Sequence, residues 1–121
     1  MPINSFNLKA RKSEPEVTAY HVHIYFEKGA ASENAALTTA KTLADIFPDA
    51  VEDSHRVGRV GPHTELNIGV TITPESFGEV VSWLQRNSGG LSILIHPRTG
   101  DEWKDHIDCA MWLGKPVPFN M

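Results

Sequence analysis

Cysteine occurs once, at Cys109, so no intrachain disulfide can form and nothing in the fold depends on an oxidising compartment. A reducing cytoplasm is therefore the expected setting. No apolar run approaches the roughly 18 residues of a membrane span, and the opening stretch MPINSFNLKARKSEPE lacks the apolar centre of a signal peptide. Membrane insertion and secretion are not expected. Positive charge is also scarce: eleven Lys and Arg stand against fifteen Asp and Glu, for a net charge of −4, and the one basic run is Lys9 to Lys12. A nucleic-acid binder that neutralises phosphates would carry the opposite balance. Pro and Gly are spread along the chain rather than clustered, and 40% of the residues are hydrophobic, which excludes a disordered tail or a repeat array. At 121 residues the chain has room for one domain.

Against these absences stands one excess, six His in a short chain, five of them inside motifs rich in Gly, Pro or aromatic residues. Residues 1–16 are polar and aperiodic and read as an N-terminal arm, leaving 17–121 as the domain. Within it, VTAYHVHIYF (Val17 to Phe26) alternates, with Tyr20, Val22, Ile24 and Phe26 on one face and His21, His23 and Tyr25 on the other. Ser32 is placed to cap a helix carrying Ala36, Ala40, Leu43 and Phe47 at helical spacing, which Pro48 ends. Two strands follow, about His55 to Val60 and Glu65 to Ile72, joined through Gly61, Pro62, His63 and Thr64. Thr73 and Pro74 open a second helix with Phe77, Val80, Val81 and Leu84 as its buried stripe, stopped by Gly89 and Gly90. A strand, LSILIH, is next, and Thr99 with Glu102 has capping-box spacing for a last helix through Trp103, Ile107, Ala110 and Met111.

This order predicts an α+β protein, a ferredoxin-like βαββαβ sandwich with an added C-terminal helix. Right-handed crossovers place both central helices on one face of the sheet. The expected strand order is fourth, first, third, second, with the first and third parallel. That arrangement brings the start of strand one (His21, His23) beside the end of strand four (His96) and the start of strand three (His63). Strands about 4.8 Å apart let imidazoles from three of them converge on one ion through bonds of about 2.0–2.2 Å. His21, His23, His63 and His96 are accordingly the candidate metal ligands. His106 borders the apolar stripe of the last helix and can reach the same face, whereas His55 is expected at the far end. Tyr25, Arg59 and Asn67 share that face or edge and are candidate substrate contacts, Arg59 to balance a carboxylate or phenolate. Cys109 reads as a small buried hydrophobe.

The motifs YHVHIYF, VGPHTE, WLQRNSGGLSILIHPRTGDEWKDH and AMWLG, in this order from about Ala19 to Gly114, resemble the small DOPA 4,5-dioxygenase family of extradiol ring-cleaving enzymes. The family's Tyr-His-x-His-x-Tyr strand, Gly-Pro-His turn, Leu-x-His-Pro strand end and Asp-His pair fall on Tyr20 to Tyr25, Gly61 to His63, Leu94 to Pro97 and Asp105 to His106. The resemblance implies small ferredoxin-like homodimers forming an α+β barrel, a catechol such as DOPA and O₂ as substrates, and Fe(II), with zinc as an alternative in the isolated protein. It also implies a histidine that moves protons, His106 or His21, since imidazole titrates near pH 6.5. Non-haem iron sites commonly include one carboxylate, for which Glu65 and Asp105 are the nearby choices. A zinc hydrolase or isomerase on the same histidines and a non-catalytic ligand-binding dimer are the other classes the residues allow. An RNA-binding sheet is disfavoured because ELNIGVTI carries no base-stacking aromatic.

Overall fold

The structure, a computed structural model, describes residues 15–120. The arm expected over 1–16 therefore lies almost entirely outside the described residues, as does Met121. Five strands form one sheet: β1 (Ala19–Tyr25), β2 (Val51–Val57), β3 (Asn67–Ile72), β4 (Ile93–Arg98) and β5 (Met111–Leu113). Their order is β2-β3-β1-β4-β5. Helix α1 (Ala31–Ile46) connects β1 to β2. A 3₁₀ turn (Pro74–Ser76) runs into α2 (Phe77–Asn87), which leads to β4, and α3 (Glu102–His106) precedes β5. The first four strands thus have the ferredoxin-like order.

Every adjacent pair is antiparallel, including β1 with β3, where a parallel pair was expected. The reason is topological. The crossover through α1 makes β2 run with β1, and the return from β2 then reverses β3. The start of β3 consequently lies beside the end of β1, with Asn67 opposite Tyr25, while the start of β1 and the end of β4 meet with His21 opposite His96.

Strand alternation sends Val22, Ile24, Ile68, Val70, Ile72, Ile93 and Ile95 to one face, where Ala36, Ala40 and Leu43 of α1 and Val80, Val81 and Leu84 of α2 bury them. Each large aliphatic side chain fully buried here contributes about 1.5–3 kcal/mol. Helix α1 begins two residues earlier than a Ser32 cap would place it, and its N-cap is Ala30, which makes no side-chain cap. Ser32 instead accepts from the Glu27 amide at 2.9 Å, and Glu33 accepts from the Gly29 amide at 2.9 Å, so the entry turn is tied from inside the first turn of the helix. Strand β2 starts four residues before its expected place; it is an exposed edge strand whose residues carry little apolar alternation. The last helix ends at His106 instead of Met111. Its cap is Asp101, accepting from the Lys104 amide at 3.1 Å, and residues 111–113 return to the sheet edge as β5. Met111 and Leu113 alternate into the core with Trp112 opposite, a period-two signal only three residues long.

Candidate metal centre

The face turned away from α1 and α2 carries His21, His23 and Tyr25 of β1, Asn67, Gly69 and Thr71 of β3, and Leu94 and His96 of β4. Helix α3 brings His106 to the same place: its ring centroid is 4.0 Å from that of His96. Asp105 holds this helix against the sheet end. Its buried carboxylate accepts from the Thr99 amide at 2.8 Å and the Thr99 hydroxyl at 2.6 Å. His63 reaches the cluster by a route the sequence did not suggest. The chain between β2 and β3 folds back over the face, so the His63 ring stands 4.3 Å from that of His23. The C-terminal segment clamps the loop. His63 forms a backbone bridge with Phe119, Asn120 donates to the Pro62 carbonyl at 3.0 Å, and Thr64 donates to the Pro118 carbonyl at 2.7 Å.

Hydrogen bonds fix which nitrogen of each ring is free. The Asn67 amide donates through Nδ2 to the Glu65 carbonyl at 3.3 Å, so its Oδ1 accepts from His23 Nδ1 at 2.9 Å. His96 Nδ1 donates to the Pro97 carbonyl at 2.8 Å, and His106 Nδ1 to the Glu102 carbonyl at 2.9 Å. Carbonyl oxygens accept only, so in each neutral ring Nε2 keeps a lone pair. His23 Nε2 and His96 Nε2 face each other at 3.2 Å. Two lone pairs at that distance repel unless a cation lies between them. A proton is poorly suited to that place, because burial holds His23 well below the ordinary imidazole range and His96 down to about 3. A metal ion fits. Two nitrogens bound at about 2.1 Å and at angles of 90–109° stand roughly 3.0–3.4 Å apart.

Two groups of histidines offer nitrogens within 4.8 Å of one another, His21 with His23 and His96, and His23 with His63 and His106. His23 belongs to both. Neither group contains a carboxylate. Burial also lowers His63, to about 4, and His21. All four rings are thus disposed to stay neutral and to offer lone pairs near pH 7. Beside them lies a cavity of about 270 Å³, lined by His21, His23, His63 and His106 together with His55, Glu102, Thr71 and the apolar Val57, Val60 and Pro62. Gly69 helps to keep it open: a Cβ there would come within 2.9 Å of Val57 Cγ2 and 3.8 Å of the His23 ring.

The sequence pattern of the Dopa 4,5-dioxygenase family matches residues 20–121. The chain belongs to that family. Its relatives include the DOPA 4,5-dioxygenase of Amanita muscaria, 33% identical over 114 residues of alignment, which covers 89% of this chain and 50% of that protein. An uncharacterised 21.2 kDa protein of Botryotinia fuckeliana is also 33% identical, over 112 residues of alignment that cover 85% of this chain and 61% of the other. The chain thus spans only half to three fifths of the length of these fungal relatives. A crystal structure of a Nostoc punctiforme protein taken to be a dioxygenase superposes with a TM-score of 0.76 at 34% identity, covering 86% of this chain and 88% of that one.

Within this Dopa 4,5-dioxygenase family fold, some sequence expectations need correction. Arg59 does not line the cavity. It is exposed on the loop after β2, donating to the Thr64 carbonyl at 3.1 Å and pairing with Glu65 at 3.6 Å, because β2 ends at Val57 rather than Val60. Asn67 is fully buried and serves His23 rather than a ligand in the cavity. Tyr25 is buried beneath His63, its hydroxyl 2.8 Å from His63 Nδ1 and its ring stacked on Trp112, and burial raises its phenol above the ordinary range. Glu65 and Asp105 are committed to Arg59 and Thr99 and join neither histidine group. Cys109 is exposed, not buried. His55 is in the middle of β2 and lines the cavity, since Gly69 separates it from His23 across the sheet. Sequence reasoning missed Trp112 and Phe119. Phe119 packs edge-on against both His63 and His106, at 6.2 and 5.9 Å. No short-range pattern in VPFN signals that contact.

Proposed function

We propose that this Dopa 4,5-dioxygenase family member is a metal-dependent extradiol dioxygenase, an oxidoreductase that opens the ring of a catechol such as DOPA with O₂. The observation that carries the reading is the pair of Nε2 lone pairs facing each other at 3.2 Å on His23 and His96, beside a cavity large enough for one ring. His21, His23 and His96 would hold Fe(II) as an all-imidazole set. Bound there, the iron would supply a Lewis acid for both catechol oxygens and an electron path to O₂, so that the ring opens beside rather than between the hydroxyls.

The chain's own residues do the rest. Asn67 and the Pro97 carbonyl hold the His23 and His96 rings in one tautomer and one orientation, which raises their basicity toward a cation. Val57, Val60 and Pro62 give the cavity an apolar wall for an aromatic ring. At about 270 Å³ it falls below the ~300–1,000 Å³ typical of drug-sized ligands, which favours a single-ring substrate. His106, its Nδ1–H engaged by Glu102, presents a free Nε2 that accepts a substrate hydroxyl proton and returns it to the opened product. A reducing compartment such as the cytoplasm would keep the iron ferrous.

A homodimer belongs to the same reading. Exposed Val60 lines the cavity, and exposed Trp103 and Ile107 lie on α3 and at its C-terminal end, beside Glu102 and His106, which line it too; a second copy would cover these apolar side chains. Sedimentation at micromolar concentration tests it; a monomer throughout would contradict it.

The test of function is anaerobic Fe(II) reconstitution, then DOPA or a simple catechol in air, followed by visible absorbance. A yellow ring-opened semialdehyde that requires both Fe(II) and O₂ is the expected result. No such product across a catechol panel, with metal bound, would reject ring cleavage.

A further inference from the structure

The second histidine group, His23 with His63 and His106, has the geometry of another metal site, but its hydrogen bonds give it different chemistry. The Tyr25 hydroxyl carries one proton and has one partner among the described residues, His63 Nδ1 at 2.8 Å. If His63 donated instead, the buried phenol proton would have no acceptor, an arrangement native proteins rarely leave standing. The phenol therefore donates, and neutral His63 carries its own proton on Nε2. This is opposite to His23, His96 and His106, whose Nδ1–H groups are each engaged by a carbonyl-type oxygen. A ring with Nε2–H cannot ligate a metal through that atom. It donates.

The group thus sets a donor, His63, beside an acceptor, His106, at the cavity, their ring centroids 5.8 Å apart and a nitrogen of each within 4.8 Å of the other. One oxygen atom fits between two nitrogens at that separation, since N–H···O and O–H···N contacts of about 2.8 Å can together span it at a bent angle. We infer that His63 and His106 form a hydroxyl-binding subsite, in which His63 donates to, and His106 accepts from, an oxygen of the bound catechol, with Tyr25 as the residue that positions the His63 proton. The inference rests on the catechol reading above and adds the division of labour among the five histidines. His63 is then a substrate contact rather than a fourth ligand.

The test uses the full chain loaded with Zn(II), which is redox-inert, and 4-nitrocatechol, whose visible spectrum reports binding without turnover. Nitrogen-15 NMR of the zinc-loaded protein should show His63 as the Nε2–H tautomer, and the Tyr25→Phe variant should lose that preference. His63→Ala should keep one zinc per chain and bind 4-nitrocatechol about tenfold more weakly, while His63→Gln, which restores an N–H donor, recovers part of the affinity. Loss of zinc in His63→Ala, or two zinc ions in the wild type falling to one, would make His63 a ligand and overturn the subsite. Undiminished affinity in His63→Ala, or an Nδ1–H tautomer in the wild type, would overturn it as well. Zinc-loaded wild type that fails to bind 4-nitrocatechol at all would reject the catechol reading itself, and the subsite with it. Should His63→Ala not fold, the wild-type tautomer decides.

Discussion

The two faces of this sheet are made by the same strands and do opposite work. On one, Val22, Ile24, Val70 and Ile95 meet α1 and α2 in a packed apolar layer with no polar side chain among its buried members. On the other, the alternate residues include His21 and His23, which line a cavity, and His96 and Asn67 beside them, and apart from Leu94 the buried groups there are imidazoles, an amide and a phenol. The first face stabilises the fold through area removed from water. The second holds neutral bases out of water, with two lone pairs opposed at 3.2 Å, an arrangement that a bound cation would relieve. A strand's period of two lets one segment supply both.

Among substitutions, breaking the apolar face should have the largest effect. Leu84→Ala, at a fully buried position of α2, is expected to lower stability by about 2–5 kcal/mol in urea unfolding, while the folded fraction keeps its metal. Acidification of the metal-free protein should match or exceed it. His96 is held down to about 3, His63 to about 4 and His23 well below the ordinary range, so between those values and about pH 6.5 the unfolded chain binds protons that the native state refuses. Stability is therefore fully present above about pH 6.5 and falls as the pH drops, by about 1.4 kcal/mol per pH unit for each proton withheld. A flat unfolding midpoint between pH 7 and pH 5 would contradict the burial of these rings.

A smaller effect should follow at Gly69. Gly69→Ala drives a Cβ to 2.9 Å from the stiff Val57 side chain and is expected to be destabilising by about 1–3 kcal/mol while narrowing the cavity; adding Val57→Ala should recover most of it. The smallest is His55→Ala. Its ring is exposed and, among the described residues, paired with Asp53 alone at 2.7 Å, so stability should change by no more than about 0.5 kcal/mol and metal content not at all, even though the residue lines the cavity.

The apolar face was legible in the sequence because burial imposes period on every strand and helix that contributes to it. The histidine face was legible in part. His21, His23 and His96 were placed together by alternation and strand order, and the register puts His21 directly opposite His96. His63 was assigned to the cluster through a parallel β1–β3 pair that does not exist. It arrives by a loop held down by Phe119 and Asn120, a contact between chain segments about 56 residues apart that no local period reports. The short helix α3 reads too long for a related reason: Ile107 and Met111 are four apart, as on a helix face, while Met111 and Leu113 are two apart, as on a strand, and pairing with β4 decides for the strand. Asn67 was found as a polar residue on the right face, but its role needed the amide's hydrogen bonds.

If His23 and its neighbours hold one metal ion on a face that the core does not depend on, removing His23 should remove the metal and spare the fold. The most direct test is anaerobic titration of the wild type and of His23→Ala with Fe(II), measuring bound iron per chain and recording circular dichroism on the same samples. One iron per wild-type chain and none in His23→Ala, with superimposable spectra, is the expected result. Equal iron in both proteins would contradict it.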